Sequence, residues 1–363
     1  MTTTIQLNEQ EIYQQESEAF AQKAYAHYLG FAIVGMCIIG DRLGLFKDLS
    51  AHGPATSAEF AARTGIVERY AREWLRAMAC AEYLKYDPAD QRFSLPRAHI
   101  PTLAEEGGPE FMGGIYQSAQ SIEHGHISKL LKVFREGGGI AYSEYDENFW
   151  DGQDRFTISN LKHKLVQQYI PAMPDVLAAL ERGALVADVG CGRGGMLLIL
   201  AEAFPRSRFV GYDAHAPNIA KAQANAQSVG VADRVRYVCQ DASQGLPERC
   251  DIILSFDVLH HATNIVAFLH AIRGSLNPGG IYVCQEAMCA DTLEGNIGPG
   301  GVMLYGAGVF GCVPQVLSEG DEAVGPAGLP FSKMRELCAQ AGFGDVQLVP
   351  LENSEVNLYE IKL

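Results

Sequence analysis

The sequence predicts an α/β chain: a doubly wound, mostly parallel sheet with helices on both faces, preceded by a smaller and mainly α domain. Three observations carry that prediction. Residues 185–189 form a short apolar run that opens into Gly190-Cys191-Gly192-Arg193-Gly194-Gly195, and residues 196–204 follow with helical character. Strand, glycine turn and helix in this order begin a nucleotide-binding βαβ unit. Strands and helices then alternate to the end of the chain. The first 100 residues lack that alternation and read as short helices closed by one hairpin.

Length and composition set the frame. A chain of 363 residues is expected to hold two domains. Against 28 Lys and Arg stand 43 Asp and Glu, a net charge of −15, which disfavours a polyphosphate partner such as nucleic acid. The nine cysteines form no Cys-x-x-Cys pair and stand at no zinc spacing with His; their odd number fits a reducing, cytoplasmic setting. No basic and apolar targeting signal opens the chain, and its longest unbroken apolar run, residues 30–40, is 11 residues, too short for a bilayer. The expected partner is a small molecule, with neither nucleic acid nor membrane.

Residues 18–39 carry apolar side chains on most faces, among them Phe20, Tyr28, Phe31, Val34 and Ile38. A helix of that kind needs cover on most faces, and a homodimer is the simplest source of it. Residues 41–49 continue as a short helix. Thr56-Ser57-Ala58-Glu59 opens a helix with a capping box, and Gly65 closes it. A longer helix spans 67–81, and 83–87 with 92–95 form a hairpin across Pro88-Ala89-Asp90. Helix, turn, helix and hairpin make a winged helix. Arg69, Arg72 and Arg76 of its second helix could face phosphate, but they alternate with Glu68 and Glu73 in an acidic chain. Residues 1–100 are therefore assigned to a winged-helix, dimerisation domain, 101–164 to a helical linker, and 165–363 to a catalytic domain. The linker is dense in aromatics and histidines, including Tyr116, His124, Tyr142, Tyr145 and Trp150, and Gly137-Gly138-Gly139 interrupts it.

The catalytic domain repeats its strand–helix unit. A second strand, 208–213, ends in Asp213, 19 residues after Gly194; such an acid suits a ribose diol. A third strand, 235–240, ends in Asp241-Ala242. A fourth, 251–256, ends in Phe256 and is followed by Asp257-Val258-Leu259-His260-His261. Helices are expected over 218–230, 264–276 and 329–342, a fifth strand over 281–286, a glycine-rich insertion over 291–328, and a closing hairpin over 345–351 and 356–363.

The ensemble of Asp188 with its three glycines, Asp213, Gln240-Asp241-Ala242 and the Asp-Ile-Ile-Leu-Ser-Phe strand resembles the class I S-adenosylmethionine (SAM) dependent methyltransferases. The N-terminal pattern resembles the winged-helix small-molecule branch of bacteria. The resemblance covers residues 165–363 and implies a Rossmann-like, seven-stranded sheet of order 3-2-1-4-5-7-6. It implies SAM as cofactor, with Asp188, Gly190, Cys191, Gly192 and Gly194 along the methionine part, Asp213 on the ribose, and Asp241, Ala242 and Phe256 by the adenine. A NAD-binding unit would share the glycine turn but explains neither Asp188 nor the terminal hairpin. The resemblance implies that the linker folds over the donor site and supplies part of the acceptor pocket, and mobility at the triple glycine would let it act as a lid; the acceptor candidates are Tyr116, His124, Tyr142 and Tyr145, with His261, and packing of the interdomain seam is the alternative for the linker residues.

The acceptor attacks the methyl carbon in line, so the protein must hold both reactants collinear and dry. A hydroxyl acceptor must also lose a proton. His260 stands where winged-helix O-methyltransferases place the general-base His of a Leu-His-Asp-Trp motif, although His261 and Ala262 replace the usual Asp and Trp. It is the catalytic candidate, with substrate contact or helix-start packing as the alternative. A thioether acceptor, as in S-methylation of a methylthio hydroxy acid of the dimethylsulfoniopropionate type, would need no base. A SAM-sensing DNA-binding regulator is the reading from a different class. No metal is expected, because adjacent histidines rarely share an ion and no His follows His270.

Overall fold

The computed structural model describes residues 9–121, 125–320, 323, 328–352 and 354–363. The chain divides into two compact units at Gln120 and Ser121.

The first unit opens with helix α1, Glu9–Arg42, longer at both ends than the apolar stretch alone predicts. Only Cys37, Ile38 and Gly40 of α1 are buried, and Phe20, Tyr28 and Phe31 are exposed. By length and composition α1 and residues 299–317 are each apolar enough to cross a bilayer; counting unbroken apolar residues misses this, because single small or polar residues interrupt both. Gly44, in the left-handed region at φ 66°, starts α2, Leu45–His52, four residues later than expected. Helix α3, Ser57–Thr64, has the anticipated capping box: Thr56 accepts from the Glu59 amide, Glu59 accepts from the Thr56 amide, and Gly65 ends the helix at φ 72°. Thr56→Ala is expected to lower unfolding stability by about 1 kcal/mol, read in chemical denaturation. Helix α4, Glu68–Cys80, and the hairpin β1, Lys85–Asp87, with β2, Arg92–Ser94, complete the winged helix. Trp74 anchors the core. Its indole donates to the Met36 carbonyl at 2.9 Å, and its ring meets Phe46 and Phe60. On α4, Arg69 and Arg76 pair with Glu73, and Arg72 pairs with Glu68. Helices α5, Ile100–Leu103, and α6, Gly113–Ser121, follow.

The second unit begins with α7, Ile127–Glu136, and α8, Glu147–Lys164, which runs into a π-helical turn, Leu165–Tyr169. Helix α9, Pro174–Arg182, leads to the sheet. Its strands are β3, Leu185–Val189; β4, Arg208–Asp213; β5, Val235–Cys239; β6, Cys250–Phe256; β7, Leu276–Ala287; β8, Asp345–Val349; and β9, Val356–Lys362. The order is β5-β4-β3-β6-β7-β9-β8, with β9 antiparallel to both neighbours. Counted from β3, that is the expected 3-2-1-4-5-7-6. Between the strands lie α10, Gly195–Ala203; α11, Ala216–Ser228; α12, Ile265–Gly274; and α16, Phe331–Gln340, with α13, Leu293–Asn296; α14, Pro299–Ala307; and α15, Val313–Leu317, in the glycine-rich insertion.

Side chains alternate across the sheet and both faces are covered, so the parallel strands are apolar throughout. Val186, Phe209, Ile252 and Val283 face α9, α10 and α11, whereas Ala187, Val210, Ile253 and Tyr282 face α12 and α16. One expected boundary moves: Asn277-Pro278-Gly279-Gly280 lies inside β7 instead of before it, where the register with β6 is irregular. All the parallel strands point their carboxyl ends to one rim, where ligands of such sheets bind.

Candidate active site

The glycine turn is fixed from below by β4. The Gly190 and Cys191 amides donate to the Tyr212 carbonyl at 2.8 and 3.1 Å, and the Gly192 amide donates to Asp213 Oδ2 at 2.9 Å. Gly190, Gly192 and Gly194 all have positive φ. Gly194 needs its missing side chain twice over: φ is +82°, and a Cβ there would stand 2.4 Å from the Tyr237 ring. The Tyr237 hydroxyl donates to the Gly194 carbonyl at 2.7 Å, so the ring cannot retreat cheaply. Gly194→Ala is expected to cost at least about 1–3 kcal/mol of stability, seen as a lowered midpoint in denaturant.

Two acids flank this turn. Asp188 is 2% exposed. Burial, and then the nearby Asp213, push its carboxyl well above the ordinary range, with no described donor to offset them. Burial also raises Asp213, although the His215 and Gly192 amides and Asn218 counteract it. Two desolvated carboxylates beside exposed turn backbone suit a ligand that is cationic at one end and carries hydroxyls.

The segment before the sheet closes over the same place. The Asn218 amide donates to the Tyr142 hydroxyl at 3.1 Å and lies 3.5 Å from Asp213. The Tyr142 ring stacks on Trp150 at 3.7 Å and meets His215 at 4.9 Å. Burial, first of several causes, pushes the Tyr142 hydroxyl up to about 12. Asp151 of α8 pairs with Arg193 of the glycine turn and with Lys221. Asp241 lies at the end of β5, caps the turn Ala242–Gln244 and accepts from the Ser243 amide at 2.9 Å; Ala242 is buried, and Phe256 ends β6 with its ring 6.3 Å from Tyr169.

The catalytic candidate sits on the next rim position. His260 is in the 3-10 turn Leu259–His261 after β6 and is 5% exposed. Its Nδ1 is 2.5 Å from Oε2 of Glu286, at the end of β7, while Oε1 of Glu286 accepts from the amides of Leu259 and His260 at 2.9 and 3.3 Å. Burial disfavours the imidazolium, but the Glu286 charge and the thiol of Cys312 outweigh it and hold the ring well above the ordinary histidine range. Asp257, at φ 55°, accepts from the Gln285 side chain at 3.1 Å, and burial and Glu286 push it up to about 6. Burial and the His260 charge push His261 well below its usual range.

Of the predicted acceptor residues, Tyr142 stands beside Asp213. Tyr145 lies in an aromatic cluster with His126, Phe149 and Trp150, and its hydroxyl donates to the Gly311 carbonyl at 3.1 Å. His126 holds the Phe310 carbonyl at 2.7 Å, and the Ile140 amide holds that of Pro314 at 2.8 Å. The triple glycine thus breaks α7 so that its backbone can press on the insertion; a Cβ on Gly139 would stand 2.1 Å from Pro314 O. Tyr116 belongs to the first unit and packs in its core, where its hydroxyl meets Cys37 and Tyr83. His124 lies outside the described residues. Glu286 and Asn218 are not among the residues expected from the sequence at this site, and Trp150 is expected only as one of the linker aromatics. An acid at the carboxyl end of a parallel strand was the available signal for Glu286.

Comparison with known proteins agrees with this fold. Residues 187–282 match a family described as "Methyltransferase domain", and residues 32–105 match an "Rv2258c-like winged HTH domain". A ubiquinone biosynthesis O-methyltransferase of Cereibacter sphaeroides is 34% identical over 105 residues, 28% of this chain and 41% of that protein. The chain therefore matches less than half the length of that relative. Among solved structures, PigF with S-adenosylhomocysteine (SAH) superposes at TM-score 0.74 and 18% identity, over 94% of this chain and 99% of that one. NcsB1, an O-methyltransferase from neocarzinostatin biosynthesis in complex with SAH and 1,4-dihydroxy-2-naphthoic acid, gives 0.64 and 20%, over 91% and 96%. Likeness at that identity establishes the fold.

Proposed function

This protein carries the class I SAM-dependent methyltransferase fold behind a winged-helix domain, and from that premise we propose that it methylates a hydroxyl oxygen of a small aromatic acceptor. The observation that carries the reading is the His260–Glu286 pair at the ligand rim. SAM, when bound, supplies an electrophilic methyl group on a sulfonium. Asp188 and the glycine turn would hold the methionine end, Asp213 the ribose hydroxyls, and Asp241, Ala242 and Phe256 the adenine side. The desolvated Asp188, and Gly192, whose missing side chain leaves open space beside the turn, fit that ligand.

The acceptor reaction asks two things of the chain. Its phenolic hydroxyl, at a pKa near 10 in water, must lose a proton as the new C–O bond forms. With Nδ1 held by the Glu286 carboxylate, a neutral His260 presents the Nε2 lone pair, takes that proton, and is stabilised as imidazolium by Glu286. The aromatic cluster of Tyr145, Phe149 and Trp150 gives a flat apolar acceptor a place to stack and keeps water away. Nothing in this scheme needs a covalent intermediate on the protein.

The exposed Phe20, Tyr28 and Phe31 of α1 support a homodimer of these chains. The test of the activity is direct. Titration calorimetry should show binding of SAM and SAH and none of NAD, and a panel of phenols should yield methyl ethers while thioethers yield no sulfonium. A chain that binds neither SAM nor SAH, or that methylates only sulfur, sinks the proposal.

A further inference from the structure

The turn that carries His260 also carries His261, and the glycine-rich insertion brings a thiol to the same place. One ring nitrogen of His260, one of His261 and the sulfur of Cys312 all lie within 4.8 Å of one another. Cys312 ends the π-helical turn Gly308–Cys312, and its thiol is in hydrogen-bonding reach of the His260 ring. Nδ1 of His261 is buried and finds no hydrogen-bond partner among the described residues. A buried polar atom without a partner is costly, which points to a missing ligand there.

We propose that His260, His261 and Cys312 bind a borderline-soft divalent cation, with Zn²⁺ as the reference ion. Two imidazoles and one thiolate are a donor set such ions favour, and they leave a fourth tetrahedral position open. Behind His260, the Glu286 carboxylate on Nδ1 fixes the tautomer that offers Nε2 to the ion, the arrangement that commonly orients a ligating histidine. Charge also closes: the dication is matched by the Cys312 thiolate and the Glu286 carboxylate. Binding forms one metal–sulfur and two metal–nitrogen bonds, and the thiol proton and the proton of an imidazolium His260 leave to solvent with no change of oxidation state. Neighbouring donors around tetrahedral zinc stand about 3.5 Å apart, so the three side chains must draw in by roughly an ångström. Adjacency does not prevent this, because the 3-10 turn sets the two imidazoles 4.2 Å apart at 39°. The third donor follows His261 by 51 residues (312 − 261) in an insertion without a motif, so the sequence alone showed only the His pair.

The effect on turnover rests on the reading of His260 as base: an ion on Nε2 takes up the lone pair that would accept the proton, and the loaded enzyme is inactive. Binding itself is tested without that assumption. The full-length protein, stripped with chelator, is titrated with Co²⁺. One ion per chain, tetrahedral d–d bands and a thiolate-to-cobalt charge-transfer band that Zn²⁺ displaces are expected. Cys312→Ser should remove the charge-transfer band. His261→Ala should keep that band and weaken binding by at least about tenfold to a hundredfold. No cobalt binding, a charge-transfer band that survives Cys312→Ser, or unchanged affinity in His261→Ala overturns the site. Zinc that binds and stops turnover until chelated supports both readings. Zinc that binds without inhibiting supports the site and overturns the base role of His260.

Discussion

His260→Ala lowers turnover by about 10²- to 10⁴-fold, the usual share of a positioned base, while the dissociation constant of SAH stays where it was. The separation is expected because His260 touches Glu286 and Cys312, whereas the glycine turn and Asp213 are held by β4. The same pair sets a pH dependence. A base acts only when neutral, and His260 is held well above the ordinary histidine range by Glu286 and Cys312 against the opposing effect of burial. Turnover therefore falls as pH drops through that raised value, placing the acid limb above the ordinary pKa of about 6.5. Glu286→Gln removes the carboxylate that favours the imidazolium. Its acid limb moves to lower pH, and its plateau falls because the protonated ring is no longer stabilised. A wild-type rate that is flat from pH about 6 to about 9, or a limb that Glu286→Gln leaves in place, removes His260 from the base role.

Asp213→Ala weakens SAM and SAH together. Each hydrogen bond from a ribose hydroxyl to this carboxylate is worth about 1.5–3 kcal/mol, so a loss of roughly tenfold to a hundredfold in affinity is expected for each bond removed. The turn loses its shape as well, because Asp213 accepts the Gly192 amide on one oxygen and the His215 amide on the other. Calorimetry with SAH measures the effect free of chemistry. Stability should change far less than affinity, since β4 remains paired on both sides to β3 and β5. Unchanged affinity for SAH would remove Asp213 from the cofactor site.

The sheet was readable because its signals are local. A strand, a glycine turn with φ positive at three places and a helix occupy consecutive residues, and β4 and β6 end at the same rim in Asp213 and Phe256. The capping box at Thr56 and Glu59 is local too. What escaped depends on pairing across distance. Glu286 meets His260 only because β6 and β7 lie side by side, a contact across 26 residues. Cys312 arrives from a π-helical turn that no periodicity announces. Tyr142 is an expected acceptor residue, yet its hydroxyl is held by Asn218, which also lies beside Asp213, the acid proposed for the ribose. Conversely, the triple glycine suggested a hinge, and its third member proves to be a point of close backbone approach to Pro314.

The placement of Glu286 has a consequence for how such a chain can diversify. The residues proposed for the donor lie on β3, β4 and β5 and, with Phe256, at the end of β6, whereas His260 and Glu286 hang from the turn after β6 and from β7. The two groups meet along the β3–β6 seam, where a Cβ on Gly190 would stand 2.5 Å from Val258 of the turn after β6. A lineage can therefore rewrite the turn after β6, the end of β7 and the glycine-rich insertion, and so exchange one acceptor for another, while the apparatus that holds the methyl donor is inherited intact.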